Sequence, residues 1–301
     1  MKVDLNVELA GVGLRNPLIL ASGFIGNDPS LLRRAWDAGF GGLTTKSLTP
    51  SPREGYKPPI VVDLGYGYLN AVGLANPGLD ALPTLVSMLP DNAVVILSVA
   101  GTTPKDFRVG VEKGLEVGVD MVELNLSCPH VKGMGIEIIQ DYSYTLEIVR
   151  EVVGLGIPIL LKMGLVDDPI SLASRALGIG VSGFTIMNTV RGLAIDVESG
   201  YPILSNVFGG LSGKAIHPIA VRMVYEIYSE LQPDIIGTGG VSSWRDAIEF
   251  IYAGASAVGI GSYLFNRRVE EIDYILKGIV DFLYRKGFER VADAVGYSHR
   301  R

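Results

Sequence analysis

Eight short apolar runs recur along the chain without a linker between them, and seven of the eight pass into a longer amphipathic stretch. The apolar runs fall at 18–21, 42–45, 94–99, 121–126, 159–162, 183–187, 234–237 and 257–260, and helical spacing marks 31–38, 106–117, 144–153, 170–178, 217–231, 244–253 and 269–285. Runs that are apolar throughout suit strands of a parallel sheet covered on both faces, whereas an antiparallel sheet with a wet face shows alternation. The count and length predict an α/β fold, a (β/α)8 TIM barrel, in a single domain spanning 1–301. Residues 3–14 alternate around Ala10-Gly11-Val12-Gly13 and predict an N-terminal β-hairpin. The proline- and glycine-rich stretch 49–76 predicts a long inserted loop after strand 2. A doubly wound open sheet is the alternative, but no GxGxxG follows the first strand.

Charge and cysteine content narrow the function. A formal net charge of -6 leaves no basic footprint for nucleic acid. No apolar run reaches the roughly 18 residues that a membrane helix needs. One cysteine forms no intrachain disulfide, and the sequence from Met1 lacks the apolar segment of a secretory signal, so a cytoplasmic protein is expected. No metal-ligand spacing is read.

In a barrel of this kind the chemistry gathers at the carboxyl ends of the strands. Those ends read Ser22-Gly23, Lys46-Ser47, Ser98, Asn125 with Ser127-Cys128, Lys162, Asn188-Thr189, Gly239-Gly240 and Gly261-Ser262. A lysine in an apolar strand is costly unless its ammonium meets an anion or another partner. Lys46 and Lys162 therefore imply an anionic or electron-rich ligand, with a snorkelling or salt-bridged side chain as the plain structural reading of each. The glycine pairs after strands seven and eight match the usual phosphate site of such barrels, although tight turns alone also demand glycine. Cys128, at the tip of the fourth strand before a glycine-containing loop, is the sole cysteine; a lone cysteine is ordinarily a small core residue.

Several motifs carry a resemblance over nearly the whole chain. They are Ala21-Ser22-Gly23, the run from Thr45 to Thr49, Asn70-Ala71-Val72-Gly73-Leu74 with Asn76-Pro77-Gly78, Glu123 to Pro129, Asn188-Thr189, and Gly209-Gly210-Leu211-Ser212-Gly213 continuing through Ala215 to Glu226. With these the sequence resembles the class 1 dihydroorotate dehydrogenases, most of all the catalytic flavin subunit of class 1B. The resemblance implies one FMN per chain and oxidation of dihydroorotate to orotate in pyrimidine biosynthesis. By position, Ser22, Lys46, Ser47, Ser98, Asn125, Lys162, Met187, Gly213, Gly239, Gly240, Gly261 and Ser262 would hold the flavin. Lys46, Asn70, Ala71, Val72, Gly73, Leu74, Asn125, Asn188 and Thr189 would hold substrate, and Cys128 would be the catalytic base. It further implies a homodimer, joined in a heterotetramer by an electron-transfer subunit carrying FAD and an iron-sulfur cluster that passes electrons to NAD. Fumarate is the alternative acceptor, another dihydropyrimidine the alternative substrate, and a flavin-carrying assembly subunit the non-enzymatic alternative.

The residue types suit that chemistry. Oxidising a ring carbon-carbon bond removes a proton from one carbon and a hydride from its neighbour, and a thiolate whose pKa is lowered by nearby cations can take the proton. Three positions depart from the family pattern: His130 and Ser98 stand where asparagine is usual, and Ile60 where arginine is frequent.

Overall fold

A computed structural model describes residues 3–126 and 136–300. Ser127, Cys128, Pro129 and His130 lie outside the described residues. The hairpin is present as β1 (Val7–Leu9) paired antiparallel with β2 (Val12–Leu14). Ala10 and Gly11 take positive φ in its two-residue turn, as such turns require. Asp234 accepts from the Ala10 amide at 2.8 Å, which ties the hairpin to the amino-terminal mouth of the barrel.

The chain then runs through β3 (Leu18–Leu20), α1 (Pro29–Ala38) and β4 (Gly42–Thr44). The segment expected as a loop after β4 carries strands of its own, β5 (Val61–Asp63) and β6 (Tyr68–Asn70), followed by the short helix α2 (Leu82–Val86). The alternation resumes with β7 (Val95–Val99), α3 (Pro104–Val117), β8 (Met121–Asn125), α4 (Ile136–Gln140), α5 (Tyr142–Val152), β9 (Ile159–Met163), α6 (Pro169–Ile179) and β10 (Gly183–Ile186). A second excursion, β11 (Val190–Leu193) and β12 (Phe208–Ser212), precedes α7 (His217–Leu231). The described chain ends with β13 (Ile235–Thr238), α8 (Trp244–Ala253), β14 (Ala257–Ile260) and α9 (Ile272–Lys286).

Strands β3, β4, β7, β8, β9, β10, β13 and β14 form, in that order, a closed barrel. Each neighbouring pair is parallel. Every residue of β7, β8 and β9 is buried, the polar Ser98, Glu123, Asn125 and Lys162 included. Helix punctuation is legible in the sequence. Asp28, Thr103 and Asp168 cap α1, α3 and α6 with a side-chain acceptor, a proline follows each, and a left-handed glycine (Gly39, Gly118, Gly180) ends each.

Strands β4 and β10 stand on opposite sides of the ring, so the two excursions that leave their carboxyl ends meet over the same mouth. There they join as one antiparallel sheet in the order β11–β12–β6–β5, with Asn70 opposite Gly210. Leu69, Ala71 and Leu204 form its small separate core. Buried Asn76 ties the incoming segment down: its Oδ1 accepts from the amides of Thr49 and Gly78, and its Nδ2 donates to Thr49 Oγ1 and the Leu74 carbonyl.

Outside the barrel, α3 lies against β7 at Gly110, where an added Cβ would come 2.5 Å from Val99 Cγ1. Alanine normally stabilises a helix over glycine by about 1 kcal/mol, but here the methyl would push α3 off its strand. Gly110→Ala is expected to lower stability by about 1–3 kcal/mol, the usual cost of overpacking, read as the urea midpoint. A variant as stable as the parent would contradict this close packing.

Candidate active site

The carboxyl ends of six neighbouring barrel strands supply a single polar row. Ser98 stands opposite Glu123, and Asn125 opposite Lys162, in adjacent ladders of β7, β8 and β9. Side chains alternate along a strand, so Ser98, Glu123, Asn125 and Lys162 all face the barrel interior while Val99 faces α3. Glu123 is 1% exposed and Lys162 5%. Their ion pair measures 3.3 Å, from Nζ to Oε1. Ser98 Oγ donates to the same oxygen at 2.9 Å. Ser47 Oγ lies 2.8 Å from Ser98 Oγ and 3.1 Å from Ser22 Oγ, and accepts from Asn125 Nδ2 at 2.8 Å. Asn188 Nδ2 reaches Asn125 Oδ1 at 3.3 Å, and Asn188 Oδ1 accepts from the Thr189 amide at 2.8 Å.

Above this row lies a cavity of about 240 Å³, walled by the barrel rim on one side and the antiparallel sheet on the other. Of the flavin residues expected from sequence, Ser22, Lys46, Ser47, Asn125 and Lys162 line it; of the substrate residues, Lys46, Asn70, Val72, Gly73, Leu74, Asn125, Asn188 and Thr189 do. Among the described residues its charged lining groups are two lysines, with no carboxylate, in a chain whose net charge is -6. Serine and threonine hydroxyls and asparagine amides supply further polar groups. That donor set fits an anionic, planar, amide-bearing ligand.

The other expected residues stand around the cavity without lining it. Ser98 is fully buried behind Ser47, and Ala71 sits in the small core of the roof. Met187 follows β10, its amide donating to the Thr238 carbonyl at 2.7 Å. Gly213, Gly239, Gly240, Gly261 and Ser262 form a backbone cluster at the ends of β13 and β14. Gly240 has φ 69°, and a Cβ there would lie 2.6 Å from the Gly213 carbonyl oxygen, so only glycine fits. A Cβ on Gly261 would meet the Phe24 ring at 2.8 Å, and Phe24 lines the cavity, so the glycine cluster adjoins it.

The turn from Gly239 is held from below. His217 Nδ1 lies 2.8 Å from the Gly239 carbonyl oxygen, and its Nε2 2.8 Å from Glu249. Asp246 accepts from the amide and hydroxyl of Ser242 and from Ser243. Burial raises the pKa of Asp246, but those bonds and the nearby His217 outweigh it and hold the carboxyl below its ordinary value.

Sequence reasoning missed Glu123 as a member of the site, although a carboxylate in an apolar strand carries the same signal that marked the lysines. Gly23, Phe24, Val61, Ser212 and Phe265 also line the cavity. Phe265 packs edge-on against Phe24 at 5.0 Å and tilted against Tyr68 at 4.4 Å, which joins the roof to the loop after β14; nothing in the local sequence pattern announces that contact. Cys128 lies outside the described residues. Among the described residues no cluster of three His, Cys, Asp or Glu side chains could hold a metal ion, and no helix is long and apolar enough to cross a membrane.

Comparison with known proteins gives a consistent set of likenesses. The dihydroorotate dehydrogenase family profile matches residues 4–283. The chain is 44% identical, over 98% of its own length and 98% of the relative's, to "Dihydroorotate dehydrogenase B (NAD(+)), catalytic subunit" of Pyrococcus horikoshii. It is 41% identical, over 99% and 98% of the two lengths, to a protein of Aeropyrum pernix provisionally named dihydroorotate dehydrogenase A (fumarate). Among solved structures, that of DHODH from Eimeria tenella in complex with ferulenol superposes with a TM-score of 0.84, at 23% identity over 99% of this chain and 89% of that one.

Removing one partner of a buried ion pair leaves the other charge stranded, at a cost of about 3–5 kcal/mol. Lys162→Met should lose stability on that scale, and Lys162→Met with Glu123→Leu should recover most of it, as read from urea midpoints of the ligand-free protein. An unchanged midpoint in the single variant would contradict the pair.

Proposed function

The chain belongs to the dihydroorotate dehydrogenase family, and on that premise we propose that it oxidises dihydroorotate to orotate, in pyrimidine biosynthesis, with FMN held at the carboxyl mouth of the barrel. The observation that carries this reading is the meeting of Lys46, Lys162, Asn125 and Asn188 in one cavity whose lining, among the described residues, has no carboxylate. FMN, when bound, supplies the hydride acceptor. Lys162, Ser22, Ser47 and Asn125 would hold it on the barrel side, with Met187 and buried Ser98 behind them. The backbone of Gly213, Gly239, Gly240, Gly261 and Ser262 would take its phosphate, the bare amides at such strand ends being suited to an anion.

On the substrate side, Lys46 would pair with the carboxylate, and the amides of Asn70, Asn125 and Asn188 with Thr189 would meet the ring amide groups. Ala71, Val72, Gly73 and Leu74 bring the wall of the roof against the ring. Cys128 would take the proton from one ring carbon as the hydride leaves its neighbour, a role assigned from family resemblance alone. The roof sheet would keep water from the reacting bond.

The relative from Pyrococcus horikoshii is named for NAD, which supports passage of electrons from this chain to NAD. A single cysteine cannot ligate an iron-sulfur cluster, so we assign FAD and such a cluster to a partner subunit, with this chain forming a homodimer within a heterotetramer in the cytoplasm. The fumarate in the name of the Aeropyrum pernix relative favours the second reading, direct reduction of fumarate.

The purified protein is expected to be yellow and to bleach anaerobically with dihydroorotate but not with dihydrouracil. Cys128→Ala should keep its flavin and lose turnover by about 10²–10⁴-fold, the range for a positioned general base. A protein that never binds flavin, or a Cys128→Ala variant with undiminished turnover, would contradict this reading. Reoxidation by fumarate in the absence of any partner would decide for the second acceptor.

A further inference from the structure

The row beneath the cavity has a direction, and one carboxylate sets it. Lys162 Nζ at 3.3 Å and Ser98 Oγ at 2.9 Å converge on the same Glu123 oxygen. A carboxylate paired with an ammonium only accepts, so the single hydroxyl proton of Ser98 is directed at Glu123. The Ser98 oxygen must then accept across its 2.8 Å contact with Ser47, whose own proton is used there. With that proton engaged, Ser47 accepts from Ser22 at 3.1 Å and from Asn125 at 2.8 Å. Only the amide nitrogen of Asn125 can donate, so Nδ2 faces Ser47 and Oδ1 faces Asn188. Asn188 is consistent with this: it presents Nδ2 to Asn125 and uses its Oδ1 for the Thr189 amide.

From this chain of bonds, and resting on the proposed function above, we infer that Glu123 is a positioning residue with two arms. One arm holds the Lys162 ammonium at the cofactor side. The other acts through Ser98 and Ser47 to fix which way round Asn125 presents its amide, and so the donor and acceptor pattern that recognises the substrate ring. A flipped amide would present an acceptor where the ring needs a donor, and without the Ser98–Ser47 arm only the longer 3.3 Å contact from Asn188 opposes the flip. Ser98 matters here because a hydroxyl passes polarity along the row with one proton, whereas a purely structural role for Glu123, neutralising Lys162, needs no Ser98 hydroxyl.

Ser98→Ala breaks the second arm and leaves the Lys162–Glu123 pair in place. The test is a titration of the FMN-loaded protein with orotate, followed by flavin absorption, together with the flavin midpoint potential. Ser98→Ala should weaken orotate binding about tenfold, the loss of one well-made hydrogen bond, with the potential unchanged. Glu123→Gln should weaken orotate similarly and also raise the potential, since Lys162 loses its counter-charge while negative charge on reduced flavin gains from it. An independent readout in the flavin-free protein is solvent exchange of the Asn125 side-chain amide protons by NMR, expected to accelerate at least tenfold in both variants. Orotate affinity within twofold of the parent for Ser98→Ala, or unaltered amide exchange, would overturn the relay. A parent protein that binds FMN but not orotate would instead overturn the functional reading, and the amide exchange would then judge the relay alone.

Discussion

The interior of a closed barrel gives a charge little water, and the buried ammonium of Lys162 stands there against Glu123. Desolvating the pair costs several kcal/mol per ion before attraction returns any of it. An apolar pair would fill the same space with less penalty, and the expense is intelligible if the ammonium is wanted at the mouth above. The ladder register makes the pairing possible: Asn125 stands opposite Lys162, so Glu123, two residues earlier on the same face, reaches it diagonally. Ser98, opposite Glu123 on the other side, completes the shell. The placement of the site thus follows from the closure of the barrel, which holds β7, β8 and β9 in fixed register.

Closure also explains the roof. Two long excursions can meet over a barrel only when they leave the same rim. Those after β4 and β10 do, and they pair through Asn70 and Gly210. The glycine at 209 is then a packing requirement. A Cβ on Gly209 would lie 2.5 Å from Leu204 Cδ1 and 2.9 Å from the Asn70 carbonyl oxygen. Strand β12 lies close against β6 and Leu204 because that position is bare, and Asn70 reaches both the sheet ladder and the cavity.

Much of this was legible in the amino-acid sequence because barrel strands are local: an apolar run bounded by a cap and a glycine needs no distant partner to be recognised. The eight barrel strands and the polar residues at their ends were read in that way. The roof was not, since β5, β6, β11 and β12 are short, half-exposed and paired only with residues far along the chain, which no periodicity within 49–76 or 189–213 discloses. Glu123 lies within an apolar run, and nothing adjacent to it in sequence names its partner. The rule that a buried charge requires a counter-charge, applied to the lysines, reaches Glu123 with equal force. Phe265 entered the cavity wall through ring packing alone, and nothing in its neighbours' composition marks it.

The electrostatics of the site is local. At physiological ionic strength the field of surface charge decays over about 8 Å, so a net charge of -6 neither draws an anion in from afar nor prevents its capture at the mouth. Discrimination must therefore come from contacts made inside the cavity, and two ammoniums alone would accept almost any small anion. What narrows the choice is the fixed orientation of the neutral amides between them, because a mismatched ring leaves a buried donor facing a donor, a penalty that a cation cannot offset at a distance. That orientation is settled beneath the cavity, where the ligand does not touch, by a carboxylate and two hydroxyls whose protons have only one way to point.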